Sequence, residues 1–122
     1  MINNLSKEIH ETAKSKGFYD NEKNIGEMLC LIHSEVSEAL EADRKNHHAN
    51  KSAFQYREME VDEFHFESDF QELIKNTFED ELSDIMIRVM DLAEYKGIDL
   101  EWHILMKMKY NATREHKHGK KY

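Results

Sequence analysis

A chain of 122 residues with no proline and four glycines suits a single, largely helical domain over 1–122 and argues against a two-domain enzyme. Apolar residues make up 39% and charged ones 34%, with a mean hydropathy of -0.83, so the core is thin for its surface and partner subunits are expected to complete it. The net charge is -8, yet residues 107–122 hold six Lys and Arg against the single acid Glu115; the acidic body beneath this basic tail repels duplex nucleic acid, which argues against extended DNA binding.

Leu5, Ile9 and Ala13, four residues apart, predict a first helix over about 4–16, with Gly17 as its C-terminal stop. A second helix is expected over about 24–45, with Ile25, Met28, Leu29, Ile32, Val36, Ala39 and Leu40 on one face. Residues 46–67 are polar and keep no sustained period, although 53–61 suits a short helix; they read as an insertion, either a mobile connection or a lid. Ser68 and Gln71 have the spacing of a capping box. The stripe Phe70, Leu73, Ile74, Phe78, Leu82, Ile85, Val89 and Leu92 then predicts one long helix to Gly97, roughly 45 Å if unbroken. Asp99 is placed to cap a last helix carrying Leu100, His103, Ile104 and Met108, and the apolar pattern fades from Arg114.

Nothing alternates as a strand, so the expected class is all-α: an antiparallel helical bundle of four to five helices, completed by oligomerisation. No apolar run approaches the roughly 18 residues of a membrane span, and residues 1–10 lack a signal peptide's apolar stretch, which points to the cytoplasm and away from a membrane. One cysteine, Cys30, makes no intramolecular disulfide framework. It falls near the apolar face of the second helix, where buried packing is expected.

Two acidic pairs carry the chemical information. Glu35-Val-Ser-Glu38 lies on the second helix and Glu81-Leu-Ser-Asp84 on the long one, each pair at i, i+3 and so on one face. At about 100° per residue, Glu35 falls roughly 90° and Glu38 roughly 150° from the centre of their apolar stripe, and Glu81 and Asp84 roughly 80° and 140° from theirs. The offsets match, so stripes packed on each other would line one groove with four carboxylates. Positions 39, 42 and 85 hold no Lys or Arg to neutralise them; Arg88 is the exception, placed to pair with Asp84 or Asp91. Gathered carboxylates either raise their pKa values or take up cations. A set without Cys or His favours a hard dication, Mg2+ or in its place Mn2+, over zinc.

These motifs, with Leu82-Ser-Asp-Ile-Met-Ile-Arg-Val-Met-Asp-Leu-Ala, Lys96-Gly-Ile-Asp-Leu, Lys107-Met-Lys-Tyr-Asn-Ala-Thr-Arg and His118-Gly-Lys-Lys-Tyr, resemble the MazG-like nucleotide pyrophosphohydrolases of the all-α NTP pyrophosphatase superfamily over about 25–45 and 68–122. The resemblance implies Mg2+-dependent hydrolysis of an NTP or dNTP to the monophosphate and pyrophosphate by a homodimer or homotetramer. Glu35, Glu38, Glu81 and Asp84 would be metal ligands and catalytic residues, one of them also orienting the attacking water. Lys107, Asn111 and Arg114, at i, i+4 and i+7, would offer phosphate contacts from one face of the last helix, joined by Lys120 and Lys121. The departure is the spacer: 42 residues separate Glu38 from Glu81, because of the insertion at about 46–67.

Phe18, Tyr19, His33 and Trp102 are candidates to stack on the base. Met28, Met86, Met90, Met106 and Met108 read as core or subunit-interface filler. Two rival readings follow from the same residues. One is a non-enzymatic helical interaction module with solvated carboxylates and a docking tail. The other is a di-iron carboxylate bundle, which normally wants E-x-x-H and finds here only Asp62-Glu-Phe-His65.

Overall fold

Helix α1 (Ile2–Ser15) stops where its glycine requires: the chain turns at Lys16 and Gly17 takes a φ of 86°, the left-handed conformation that a helix C-terminus needs and that a side chain disfavours. Helix α2 (Ile25–Arg44) begins at Asn24, whose side chain accepts from the Glu27 amide at 3.0 Å. Then follow α3 (Lys51–Glu60), α4 (Phe66–Leu73), α5 (Phe78–Tyr95), α6 (Leu100–Ala112) and a 3₁₀ turn (His116–Gly119). This is a computed structural model that describes residues 1–60 and 65–122, and among them there is no strand. The class is all-α. Among the described residues six α-helices stand where four to five were expected.

The additional helices have two local causes. The single helix expected from 68 to Gly97 is interrupted over 74–77: Asn76 takes a φ of 62°, and Thr77 starts α5 by accepting from the Asp80 amide at 3.3 Å while the Asp80 carboxylate accepts from the Asn76 amide at 2.9 Å. This reciprocal cap at Thr77 and Asp80 resets the helix although the apolar period runs on across it. Ser68 lies inside α4, so its spacing to Gln71 is no N-terminal cap. The second cause lies in the insertion at 46–67, which contains α3 and the start of α4. Arg57 binds Asp69 at 2.7 Å and Glu72 at 2.7 and 3.1 Å, and Phe54, Phe66 and Phe70 form an aromatic cluster with ring centroids 5.8 to 6.5 Å apart. The motif from Asp62 to His65 lies, but for His65, outside the described residues.

The residues form two compact units, Met1–Glu22 with Met90–Tyr122, and Lys23–Val89. In the first, α6 caps α1: the Glu101 carboxylate accepts from the Met1 amino group at 2.7 Å and from the Ile2 amide at 2.8 Å, and Asn3 donates to Asp99 at 2.7 Å. Asp99 also accepts from the Trp102 amide at 3.0 Å, as its position predicts. In the second unit, Glu79 at the start of α5 accepts from the Ala49 amide at 2.8 Å, and Phe78 donates its amide to the His47 carbonyl at 2.9 Å, which fastens the end of the α2–α3 connection.

The core is sparse. Among the described residues the buried apolar side chains are Met28, Ala39, Ala42, Met90 and Ala93, and three of these five are alanines that let backbones approach but bury little area. Leu29, Val36 and Leu40, expected on the core face of α2, are half-exposed in this chain, as are Leu82 and Met86 on α5. The buried arc of α2 is instead Met28, Glu35, Ala39 and Ala42, which fall within about 60° of one another at 100° per residue. Met86, Met106 and Met108 are exposed and are not core filler here; Cys30 is exposed as well.

Candidate metal centre

The buried arc of α2 places a carboxylate where a leucine would ordinarily sit. Glu35 is 7% exposed and Glu81, from the first turn of α5, is 5% exposed. With the exposed Glu38 they offer one oxygen each, all within 4.8 Å of one another. In each motif the first acid is the more buried, on α2 because Glu35 lies within the buried arc itself. Asp84, one turn after Glu81, is partly buried and lies outside that close group, yet its charge acts on both Glu38 and Glu81.

Electrostatics record the crowding. Burial, followed by the charges of Glu38, Asp84 and Glu35, raises the Glu81 pKa to about 7. Glu38 is raised by its hydrogen bond to Glu35 and by that group's charge, and Asp84 by burial and by the charges of Asp80 and Glu35. Glu35 goes the other way: burial opposes its ionisation, but hydrogen bonds from Glu38 and Arg88 and the guanidinium charge hold it low. A hydrogen bond between two carboxyl groups needs a proton, which the Glu35–Glu38 pair shares.

Arg88 Nε donates to Glu35 Oε1 at 2.7 Å. This corrects the expected pairing with Asp84 or Asp91, because the partner across the fold, 53 residues away, is nearer than the neighbours along the helix. Asp91 is occupied elsewhere, by His10 Nδ1 at 2.8 Å and the Tyr19 hydroxyl at 2.6 Å. Sequence spacing does not foretell that cluster, since its members come from α1, the connection after it, and α5.

His33 is exposed on α2. The other substrate-binding candidates, Lys107, Asn111, Arg114, Lys120 and Trp102, belong to the first unit. Lys107 and Arg114 do not share one helical face, because α6 ends at Ala112 and Arg114 follows the cap at Thr113. Both cations instead flank Tyr110, Lys107 Nζ at 5.3 Å and the Arg114 guanidinium at 5.6 Å from the ring centroid, and Arg114 donates to the His118 carbonyl at 3.2 Å. Asn111 Oδ1 is buried with no hydrogen-bond partner among the described residues. Trp102 is half-exposed with its ring edge-on to His103, and Phe18 is exposed, whereas Tyr19 is engaged with Asp91 and the ring of His10.

All of the converging donors are oxygens, burial and then the neighbouring acids' charges raise the Glu81 pKa to about 7, and among the described residues the one cation bonded to them is the Arg88 side chain. That donor set fits a hard dication and offers nothing soft for zinc. No protein-family model matches the chain, nor does any curated protein or solved structure. No helix among the described residues is long and apolar enough to cross a membrane.

Proposed function

We propose that this protein is a Mg2+-dependent nucleoside triphosphate pyrophosphohydrolase that converts an NTP or dNTP to the monophosphate and pyrophosphate, with Mn2+ able to replace Mg2+. The observation that carries the reading is the convergence of Glu35, Glu38 and Glu81 oxygens within 4.8 Å, on the two motifs whose sequence resembles the MazG-like enzymes. Bound to these carboxylates and to Asp84, Mg2+ would supply an acidified water and positive charge for the departing pyrophosphate. The chain's own part is positional. Glu35 and Glu81 are held by burial in fixed orientations, while the more accessible Glu38 and Asp84 face incoming phosphate and water. Each unit also carries groups suited to a nucleotide: in the first, Lys107, Arg114 and Lys120 are cationic donors of the kind that bind phosphate oxygens, with the Asn111 amide and the Trp102 ring, and in the second the exposed His33 ring.

A homodimer or homotetramer is part of this reading. The half-exposed Leu29, Val36 and Leu40 repeat at i, i+7 and i+11 on α2, an apolar stripe that a second subunit would cover. Light scattering should give a mass of two or four times 14.6 kDa, and Val36→Lys should shift it toward the monomer; an active monomer at micromolar concentration would sink this packing scheme. The same stripe also suits a non-enzymatic helical module. Pyrophosphate release measured over a panel of NTPs and dNTPs, with Mg2+ and with EDTA, separates the two: the enzyme turns over at least one nucleotide only with Mg2+, and the module none.

A further inference from the structure

The neutraliser of the carboxylate group is itself informative. Arg88 lies four residues after Asp84 and seven after Glu81, so α5 presents all three on one face, and its Nε reaches across to Glu35 Oε1 at 2.7 Å. The contact is lopsided in exposure: the Arg88 side chain is 40% exposed and that of Glu35 only 9%. The guanidinium therefore approaches from the solvent side and can return to water without being stranded, while Glu35 and Glu81 stay buried beside each other. Near them, Glu38 and Asp84 add two more acids to the same neighbourhood. Among the described residues the only cation bonded to this group is Arg88.

We propose that Arg88 is a built-in counter-cation that takes the place of the dication on Glu35, so that Arg88 and the metal neutralise the same carboxylates and oppose each other's binding. This rests on the metal-site reading above and adds a positioning residue that sets how readily the site loads. Two consequences distinguish it from an ordinary structural ion pair. Metal-free protein lacking the charge at 88 is less stable, since its carboxylates repel unscreened. The same protein gains more from metal, because the ion no longer displaces a guanidinium and meets one more uncompensated negative charge.

The experiment uses the full chain without nucleotide: calorimetric titration of Mn2+ into metal-free protein, with thermal unfolding in EDTA and in saturating Mg2+. Wild type is compared with Arg88→Met, Arg88→Gln and Arg88→Lys; Gln keeps a donor without the charge and preserves the comparison should Met fail to fold. Both neutral variants should melt lower in EDTA, gain more on adding Mg2+ and bind Mn2+ roughly tenfold tighter, while Lys stays within about threefold of wild type. Weaker or unchanged Mn2+ binding in Arg88→Met and Arg88→Gln, with wild type binding normally, overturns the proposal and leaves the metal site standing. A Lys variant that shifts as far as Met overturns it too, since charge would then not be the cause. Absence of Mn2+ uptake by wild type and variants alike overturns the metal reading and this inference together, and the wild-type titration alone tells the two failures apart.

Discussion

Asp91 and Glu81 stand ten residues apart on one helix and have opposite surroundings. Asp91 has a donor on each oxygen, His10 on one and the Tyr19 hydroxyl on the other, so its charge is matched where it sits. Glu81 is more deeply buried and faces Glu35, Glu38 and Asp84, so its charge is opposed. A carboxylate that meets donors is finished and serves the fold; carboxylates that meet one another are unfinished and need a cation from elsewhere. The contrast assigns opposite consequences to chemically similar substitutions.

The largest effect should come from Glu38→Gln and Asp84→Asn. Each removes a charged ligand without opening a cavity, so nucleotide turnover should fall by three orders of magnitude or more, on the order of what loss of a metal-centred step costs. In EDTA the melting temperature of both should be unchanged or higher, because a repulsion has been removed. Marked melting-point losses in EDTA for both would put these acids in the same class as Asp91.

Asp91→Ala should do the reverse. It leaves the partly buried His10 and Tyr19 polar groups without their acceptor and should cost about 2 to 4 kcal/mol of stability by denaturant titration. The rise in melting temperature on adding Mg2+ should persist. Loss of that Mg2+ response would break the contrast.

The pH dependence sharpens it further. Glu81 keeps its proton in the folded protein to about pH 7, against an ordinary value of 4.5. Between these values the folded state binds more protons than the unfolded chain, so this group makes metal-free stability fall as pH rises from about 4.5 to 7, with no further change above. The contribution is about 3 kcal/mol at full extent. Glu38 and Asp84, also raised, act in the same direction. Glu81→Gln should flatten this part of the profile, and saturating Mg2+ should flatten it in wild type by favouring the ionised forms. A metal-free profile identical in wild type and Glu81→Gln would remove the case for crowding.

How far the sequence foretells this molecule depends on the reach of each interaction. The ends of α1, α2 and α6 are legible because Gly17, Asn24 and Asp99 act on their own few residues. The approach of Glu35, Glu38 and Glu81 is legible in part, since the two motifs do meet, but Asp84 lies outside the close group and the buried arc of α2 is rotated from the expected stripe onto Glu35 itself. The break before α5 is concealed by Ile74 and Phe78, which continue the apolar period across it, while Thr77 and Asp80 carry the competing local signal. Arg57 with Asp69 and Glu72, Arg88 with Glu35, and Asp91 with His10 and Tyr19 are matched across 12 to 81 residues, and no periodicity encodes which charge meets which. The half-exposed Leu29, Val36 and Leu40 have a further reason: a period says that a face is apolar, not whether its own chain covers it.

The smallest expected effect tests the finished side of the contrast by removing one of its two donors. The Tyr19 hydroxyl is a lasting donor, because burial and its bond to Asp91 raise its pKa and keep it protonated through the working range. Tyr19→Phe keeps the ring, which lies 4.6 Å from that of His10 and 5.0 Å from that of Tyr95, and deletes the 2.6 Å bond to Asp91. Asp91 retains His10 and is exposed enough for water to take the vacated oxygen, so the loss should be about 1 kcal/mol rather than the full cost of an unsatisfied charge. Denaturant midpoints for wild type, Tyr19→Phe and Asp91→Ala should fall in that order, with Mn2+ binding equal in all three. If Tyr19→Phe costs as much as Asp91→Ala, the two donors do not share the carboxylate as described, and Asp91 depends on Tyr19 alone.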